Sequence, residues 1–197
     1  NTSIPSDTVC ETTLNSDNSD IDLFFSEYVE GSGNNKALEI ANFTGNSINL
    51  DNYNLKLSSN GNNNWTVNYN FPNNLIIPNN SVFVVANGGT NICTGVFDDL
   101  NNSITSFNGN DALGLFKDNV LIDIIGTLGD DSEFGQNITL RRSSTITSGN
   151  LVFDLNELNY FSLNDWDNLG YHAQSLNIFE QQITFFKVYP NQTNGTS

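Results

Sequence analysis

Basic residues are scarce in this 197-residue sequence: six lysines and arginines stand against 22 aspartates and glutamates, for a net charge of −16. Phosphate backbones are held by clustered lysine and arginine, so unaided nucleic-acid binding is not expected. Histidine occurs once, at His172, and cysteine twice, at Cys10 and Cys93. A zinc centre needs three or four such ligands close together, and these cannot supply them. There is no Gly-x-Ser-x-Gly elbow, and the lone His172 in GYHAQ reads as structural rather than as a catalytic base. No apolar run approaches the roughly 20 residues of a membrane-spanning helix. Methionine is absent even at position 1, which reads as a removed secretory leader or as a chain cut at a domain edge. The cysteines favour the leader. In an oxidising compartment Cys10 and Cys93 would pair, closing a loop of more than 80 residues. Chain-entropy arguments give such a bond ~4–5 kcal/mol. The alternative is two buried free thiols.

Asparagine, by contrast, makes up about a fifth of the chain, often in runs such as GNNNW. It favours turns and tolerates positive φ, so its abundance suits a loop-rich β protein, although genome composition would give the same bias. Short apolar runs alternate between Asn, Gly, Asp and Pro clusters from about Leu23: LFFSEYVE, ALEIANF, NYNLKLSS, WTVNYNF, SVFVVAN, ALGLFKD, VLIDIIGT and NITLRRS. Short alternating strands at close spacing predict an all-β sandwich. Asp118-Asn119 reads as a tight hairpin turn, and Pro72 and Pro78 bracket a short edge strand or crossing loop. Residues 1–20 are polar and aperiodic, an extended N-terminal arm. The segment LNELNYFSLNDWDNLGYHAQSLN reads as a closing strand and an irregular wrap.

Several residue groups are candidates for chemistry. SEYVEGSGNNKALEIANF reads as two strands joined by a Gly-Ser-Gly-Asn-Asn turn. Strand parity sets Glu39 on the face opposite Leu38 and Ile40, away from the core or at its rim. It gives Glu27 and Glu30 opposite faces, so both cannot join Glu39 without a bulge. The three glutamates therefore read as structural. Asp17, Asp20 and Asp22 in SDNSDID could offer oxygen ligands to calcium, the one cofactor considered, but the EF-hand order is absent. Trp65 and Tyr69 share parity on WTVNYNF and could form an aromatic ligand platform; ordinary cross-strand packing is the alternative. Asp165 and Asp167 flank Trp166, an arrangement compatible with sugar chemistry, though Trp166 reads more simply as a plug against the sandwich.

Taken in order, SEYVEGSGNNKALEIANFTG, NLDNYNLKLSSNG, NLIIPNNSVFVVAN, SFNGNDALGLFKDNVLIDIIGTLGDD and ITLRRS resemble the lamin-tail domain in its bacterial form, over about residues 21–172. The resemblance implies an immunoglobulin-like β-sandwich without catalytic residues, found on secreted and surface proteins, some of which also carry nucleases or other hydrolases. A second stretch, FFKVYPNQTNGTS, is similar to the start of the C-terminal sorting domain of the type IX secretion system of Bacteroidetes. Val188, Tyr189, Pro190, Asn191, Thr193, Asn194 and Gly195 match, and Gln192 replaces the usual second proline. This resemblance implies a protein that passes through the periplasm and is secreted or held at the cell surface. Its partners would be the outer-membrane translocon and its shuttle. The expected organisation is an arm over 1–20, a lamin-tail domain over 21–176, a linker over 177–186 and the start of a sorting domain over 187–197. The expected function is a non-enzymatic interaction module serving a large surface adhesin or gliding motility. The alternatives are a calcium- or glycan-binding adhesin and an accessory domain of a secreted nuclease or hydrolase.

Overall fold

The computed structural model describes residues 21–92 and 95–174. Cys10, Cys93, Asp17, Asp20, the sorting residues Val188–Gly195, the N-terminal arm and the linker lie outside the described residues. The strands are β1 (Phe24–Glu30), β2 (Lys36–Asn42), β3 (Ile48–Asn49), β4 (Tyr53–Ser58), β5 (Val67–Asn70) and β6 (Ile76–Ile77). They continue with β7 (Ser81–Ala86), β8 (Asp99–Leu100), β9 (Ala112–Lys117), β10 (Val120–Ile125), β11 (Thr139–Arg142) and β12 (Leu158–Phe161). One 3-10 turn, Leu155–Glu157, precedes β12. No helix among the described residues is long and apolar enough to cross a membrane.

A six-stranded sheet in the order β12-β11-β1-β2-β7-β8 faces a four-stranded sheet, β10-β9-β4-β5, while β3 and β6 form a small side ribbon. All pairings are antiparallel except β7–β8. The result is an all-β sandwich, as the alternating runs predict, of the immunoglobulin-like kind that the lamin-tail resemblance implies. Its core lies between the sheets and contains Phe25, Tyr28, Leu38 and Ile40 from one side and Leu55, Leu57, Leu113 and Leu115 from the other. Each such side chain, fully buried, contributes about 1.5–3 kcal/mol. Tyr28 packs on Phe107 with ring centroids 4.6 Å apart.

A smaller apolar cluster lies on the outer face of the six-stranded sheet. Val29, Ala37, Val84, Ala86, Ile92 and Leu169 form it, with Trp166 packed against them. Trp166 is thus a plug against the sandwich, seated on its outer face. Its neighbours Asp165 and Asp167 sit on turns rather than on an extended strand.

Positive φ angles at residues other than glycine fall on Asn60, Asn74, Asn80, Asp118, Asn119, Asn137 and Asn164. All are asparagine or aspartate, which gives the asparagine excess a structural use. Asp118 and Asn119, at φ 50° and 65°, form the two-residue turn between β9 and β10, the geometry a right-twisted hairpin prefers. Asn119→Val is expected to lower the unfolding free energy by about 1–2 kcal/mol, because a Cβ-branched residue is forced into left-handed space. Asn119→Gly should stay within about 0.5 kcal/mol of the parent. Urea titration of both variants checks this; equal midpoints for Val and Gly would contradict it.

Candidate functional site

The three glutamates divide between two places. The β1–β2 register shifts between Phe25 and Glu27, so that Glu27 lies directly across from Glu39 on one side and Arg141 on the other. Glu27 and Glu39 thus share the outer face, and only one of the two β1 glutamates joins Glu39, as their opposite parity requires. Glu30 remains apart at the strand end, where it accepts from Lys36 and from the Asn137 backbone.

Glu39 is also more deeply placed than expected, with 0% exposure. The chain after β12 folds back over this face and covers it. Ser26 Oγ donates to Glu39 Oε1 at 2.6 Å, and the Gly170 N–H donates to Oε2 at 2.6 Å. Burial pushes the Glu39 carboxyl up. Burial likewise raises Glu27 to about 7, against the pull of Arg141, whose Nε lies 3.1 Å from Glu27 Oε2. Arg141 also pairs with Asp165 and stacks its guanidinium 4.1 Å from the Phe161 ring centroid.

Beside it, Arg142 turns toward the gap between the sheets. Its Nη2 donates to both Asp123 oxygens, at 3.0 and 3.1 Å, and its Nη1 pairs with Glu157 Oε2 at 3.1 Å. His172 stands against Phe24 and Phe43, with ring centroids 5.7 and 5.8 Å away. Burial, with Arg142 nearby, pushes its imidazole down to about 4. Glu27, Arg141, Arg142, Phe161, Asn168 and Tyr171 are among the residues lining a cavity of about 170 Å³ on this face. Chemically the cluster can store a proton at near-neutral pH, on a Glu27 carboxyl whose Oε1 is buried and has no partner among the described residues.

The other sequence candidates are placed differently. Asp22 accepts from the Tyr53 hydroxyl at 2.7 Å and from its neighbour's Leu23 N–H at 2.8 Å, and pairs with Lys117 at 2.7 Å. That bond raises Lys117, and burial with Asp22 raises Tyr53 to about 12. Asp22 therefore acts as a clamp between the start of β1 and the end of β9. Among the described residues no three His, Cys, Asp or Glu side chains are grouped to hold a metal ion.

Trp65 and Tyr69 do not form a common platform. Strand β5 begins only at Val67, so alternation does not carry back to Trp65. Tyr69 points inward, stacks edge-on against Phe71 at 5.2 Å and donates its hydroxyl to Asp99 at 2.7 Å. Trp65 lies on the outer face of the four-stranded sheet, edge-on to Phe116 at 5.3 Å. Glycine at 114 makes room for it: a Cβ there would sit 2.9 Å from the indole. Trp65, Phe116, Leu121, Leu128, Leu151 and Val152 are among the residues lining a largely apolar groove of about 370 Å³.

Sequence reasoning missed the role of the Arg141-Arg142 pair. Two adjacent arginines in a chain with so few basic residues were the available signal. On neighbouring strand positions they point to opposite faces, and each must find carboxylates.

Two facing, mainly antiparallel sheets with a filled core define the class as an immunoglobulin-like sandwich. The family model of the lamin tail domain matches residues 16–129, and the chain belongs to that family. The match includes Glu27 and Glu39 and ends before Arg141, Asp165 and His172. No individually curated protein matches the chain. The lamin tail domain is an immunoglobulin-like, non-catalytic module, which suggests an interaction role.

Proposed function

We propose that this chain is a non-enzymatic extracellular interaction module, exported by a type IX secretion system and serving a larger surface protein such as an adhesin or a gliding component. The observation that carries the interaction reading is the groove around Trp65. Leu151 and Val152 are 60% and 71% exposed beside it, and clustered exposed apolar side chains with an aromatic anchor mark contact surfaces. Lys56 lies 4.2 Å over the Phe116 ring at one end. At the other, Asp130 and Glu133 line an adjoining depression with Thr127 and Phe153. An apolar segment of a protein partner, flanked by basic residues on the acidic side, fits this surface. The export reading is supported by the Val188–Gly195 resemblance.

Crosslinking capture from the native cell surface tests both parts. The full-length protein is expected to capture a surface protein, and Val152→Asp, exposed and so harmless to folding, is expected to abolish that capture. Protein lacking Val188–Gly195 is expected to accumulate in the periplasm. Capture indifferent to Val152→Asp would overturn the groove's role, and unchanged export of the deletion variant would overturn the secretion route.

A further inference from the structure

The apolar groove around Trp65 carries a more specific assignment, which rests on the interaction-module reading. We propose that it takes a linear protein segment with charges of opposite sign at its two ends. An acidic side chain lies beside Lys56, a short apolar core lies over Trp65 and Val152, and a basic side chain lies beside Asp130 and Glu133. Lys56 is what sets this apart from simple attraction of a basic partner to an acidic protein. Of the five basic side chains among the described residues, four are matched by carboxylates: Lys36 by Glu30, Lys117 by Asp22, Arg141 by Glu27 and Arg142 by Asp123. Lys56 alone has no carboxylate partner among the described residues.

Strand register explains why. Lys56 projects outward between the inward Leu55 and Leu57, and its cross-strand neighbours are Gly114 on β9 and Asn68 on β5. Neither is charged. The Lys56 ammonium lies instead 4.2 Å from the Phe116 ring centroid, beside the indole that packs over Gly114. An aromatic face holds a cation in place without neutralising it. In a chain of net charge −16, this cation is left to a partner's carboxylate. The other end of the groove has the opposite sign. Thr127 and Phe153 line both the groove and the adjoining depression, so the two are continuous. Asp130 and Glu133 are exposed there and accept only from Ser132 and Gln136 among the described residues. From β4 to β10 is two inter-strand steps, roughly 10 Å, and the depression opens past Thr127, after the end of β10. An extended segment covers that span with about three to five residues.

Lining and charge decide against other occupants. A glycan finds little to bond along the groove, where Leu121, Ile124, Leu128, Leu151 and Val152 offer only apolar side chains. A second copy of this chain brings another net charge of −16 against the first. A purely basic segment satisfies the acidic end but sets like charges together at Lys56, and a purely acidic one does so at Asp130 and Glu133.

The test is fluorescence anisotropy of labelled synthetic peptides titrated with the full-length protein. All share a core of four apolar residues, made in both chain directions. One set carries aspartates at one end and lysines at the other, a second lysines at both ends, a third aspartates at both ends, and a fourth serines. We expect the mixed set to bind tightest, about ten-fold above the uncharged set and above the doubly basic set, although overall charge favours the latter. Lys56→Glu should turn the preference toward the doubly basic set, and Glu133→Lys toward the doubly acidic one. A merely structural Lys56 would change affinity without changing the order. Tightest binding of the doubly basic set, an order unmoved by Lys56→Glu, or no peptide binding would each overturn the assignment. So would a dimer at rising protein concentration, or capture on phosphatidylcholine vesicles, that Val152→Asp abolishes. Cell-surface capture of a protein that depends on Val152 would, in those cases, leave the interaction-module reading intact. Capture indifferent to Val152 would remove the two together.

Discussion

Arg142→Ala is expected to lower the unfolding free energy by about 3–5 kcal/mol, because removing one member of a buried ion pair leaves the other charge unmatched. That is a large part of the roughly 5–15 kcal/mol typical of a domain. The stranded partner is Asp123, 0% exposed on β10. Besides both Arg142 contacts, its oxygens accept from the backbone N–H of Phe25 at 2.7 Å, Ile124 at 3.0 Å and Asn150 at 2.9 Å. One carboxylate thus ties β1 and β11 of one sheet to β10 of the other and to the loop before the 3-10 turn. Burial already raises it to about 6 against the pull of Arg142. Without the guanidinium it rises further, so the variant should lose most stability at pH 8 and recover part of it at pH 5. Asp123→Asn separates charge from shape. It removes the anion but turns an amide NH2 toward either the Phe25 N–H or the Ile124 and Asn150 N–H groups, which bond opposite oxygens, so its cost should be comparable to that of Arg142→Ala but depend less on pH. Urea midpoints at unchanged m-value measure both. An Arg142→Ala midpoint within about 0.5 kcal/mol of the parent would show that the pair is dispensable.

The nine strands of four or more residues were legible as short apolar runs bounded by Asn, Gly, Asp and Pro clusters. The two-residue strands β3 and β8 were not, since so short an element leaves no period to read; β6 showed itself only through its flanking prolines. Strand β1 carried more information than parity extracted. Its apolar residues fall on both faces, Phe25 and Tyr28 inward and Phe24 and Val29 outward. That pattern marks a strand covered on two sides. The adjacent polar pair Ser26-Glu27 sits where the register shifts, and a break in alternation is the trace a bulge leaves. On β2 the outward positions Ala37 and Ala41 are small, which leaves room for a covering segment to approach. Which segment does so is a tertiary fact. Leu169 and Trp166 reach the outer cluster from turns with no periodicity of their own. The candidate site was therefore half visible: its glutamates stood out, while the arginine and the cover that bury them lay more than a hundred residues away.

The same burial predicts an unusual pH profile: stability should rise, not fall, as pH drops from 8 to about 5. Glu27 goes from an ordinary 4.5 in the unfolded chain to about 7 in the fold, and Asp123 from 3.8 to about 6. Glu39 is raised as well. Between its two values each group binds more protons folded than unfolded, so protonation favours the fold. The penalty of burying each carboxylate is complete above its folded value and relieved below its unfolded one. At about 1.4 kcal/mol per pH unit, Glu27 alone accounts for about 3 kcal/mol. His172 opposes this. Its folded value of about 4 lies below the ordinary 6.5, so it costs stability as pH falls through that window. It is one group against three and is only half-buried, which weakens its share. A rise in Tm on the order of 10 °C between pH 8 and pH 5 is expected. General relief of the −16 net charge acts in the same direction, and Glu27→Gln tells the two apart. It changes the global charge by one unit yet removes the group with the widest window. If the local cluster governs, this variant should flatten the slope between pH 5 and 7 by about half. It should also spare the fold at pH 8, because Arg141 keeps Asp165. A slope unchanged by Glu27→Gln would assign the effect to overall charge, and a Tm that falls steadily from pH 8 to 5 would show that Glu27 is held ionised by Arg141.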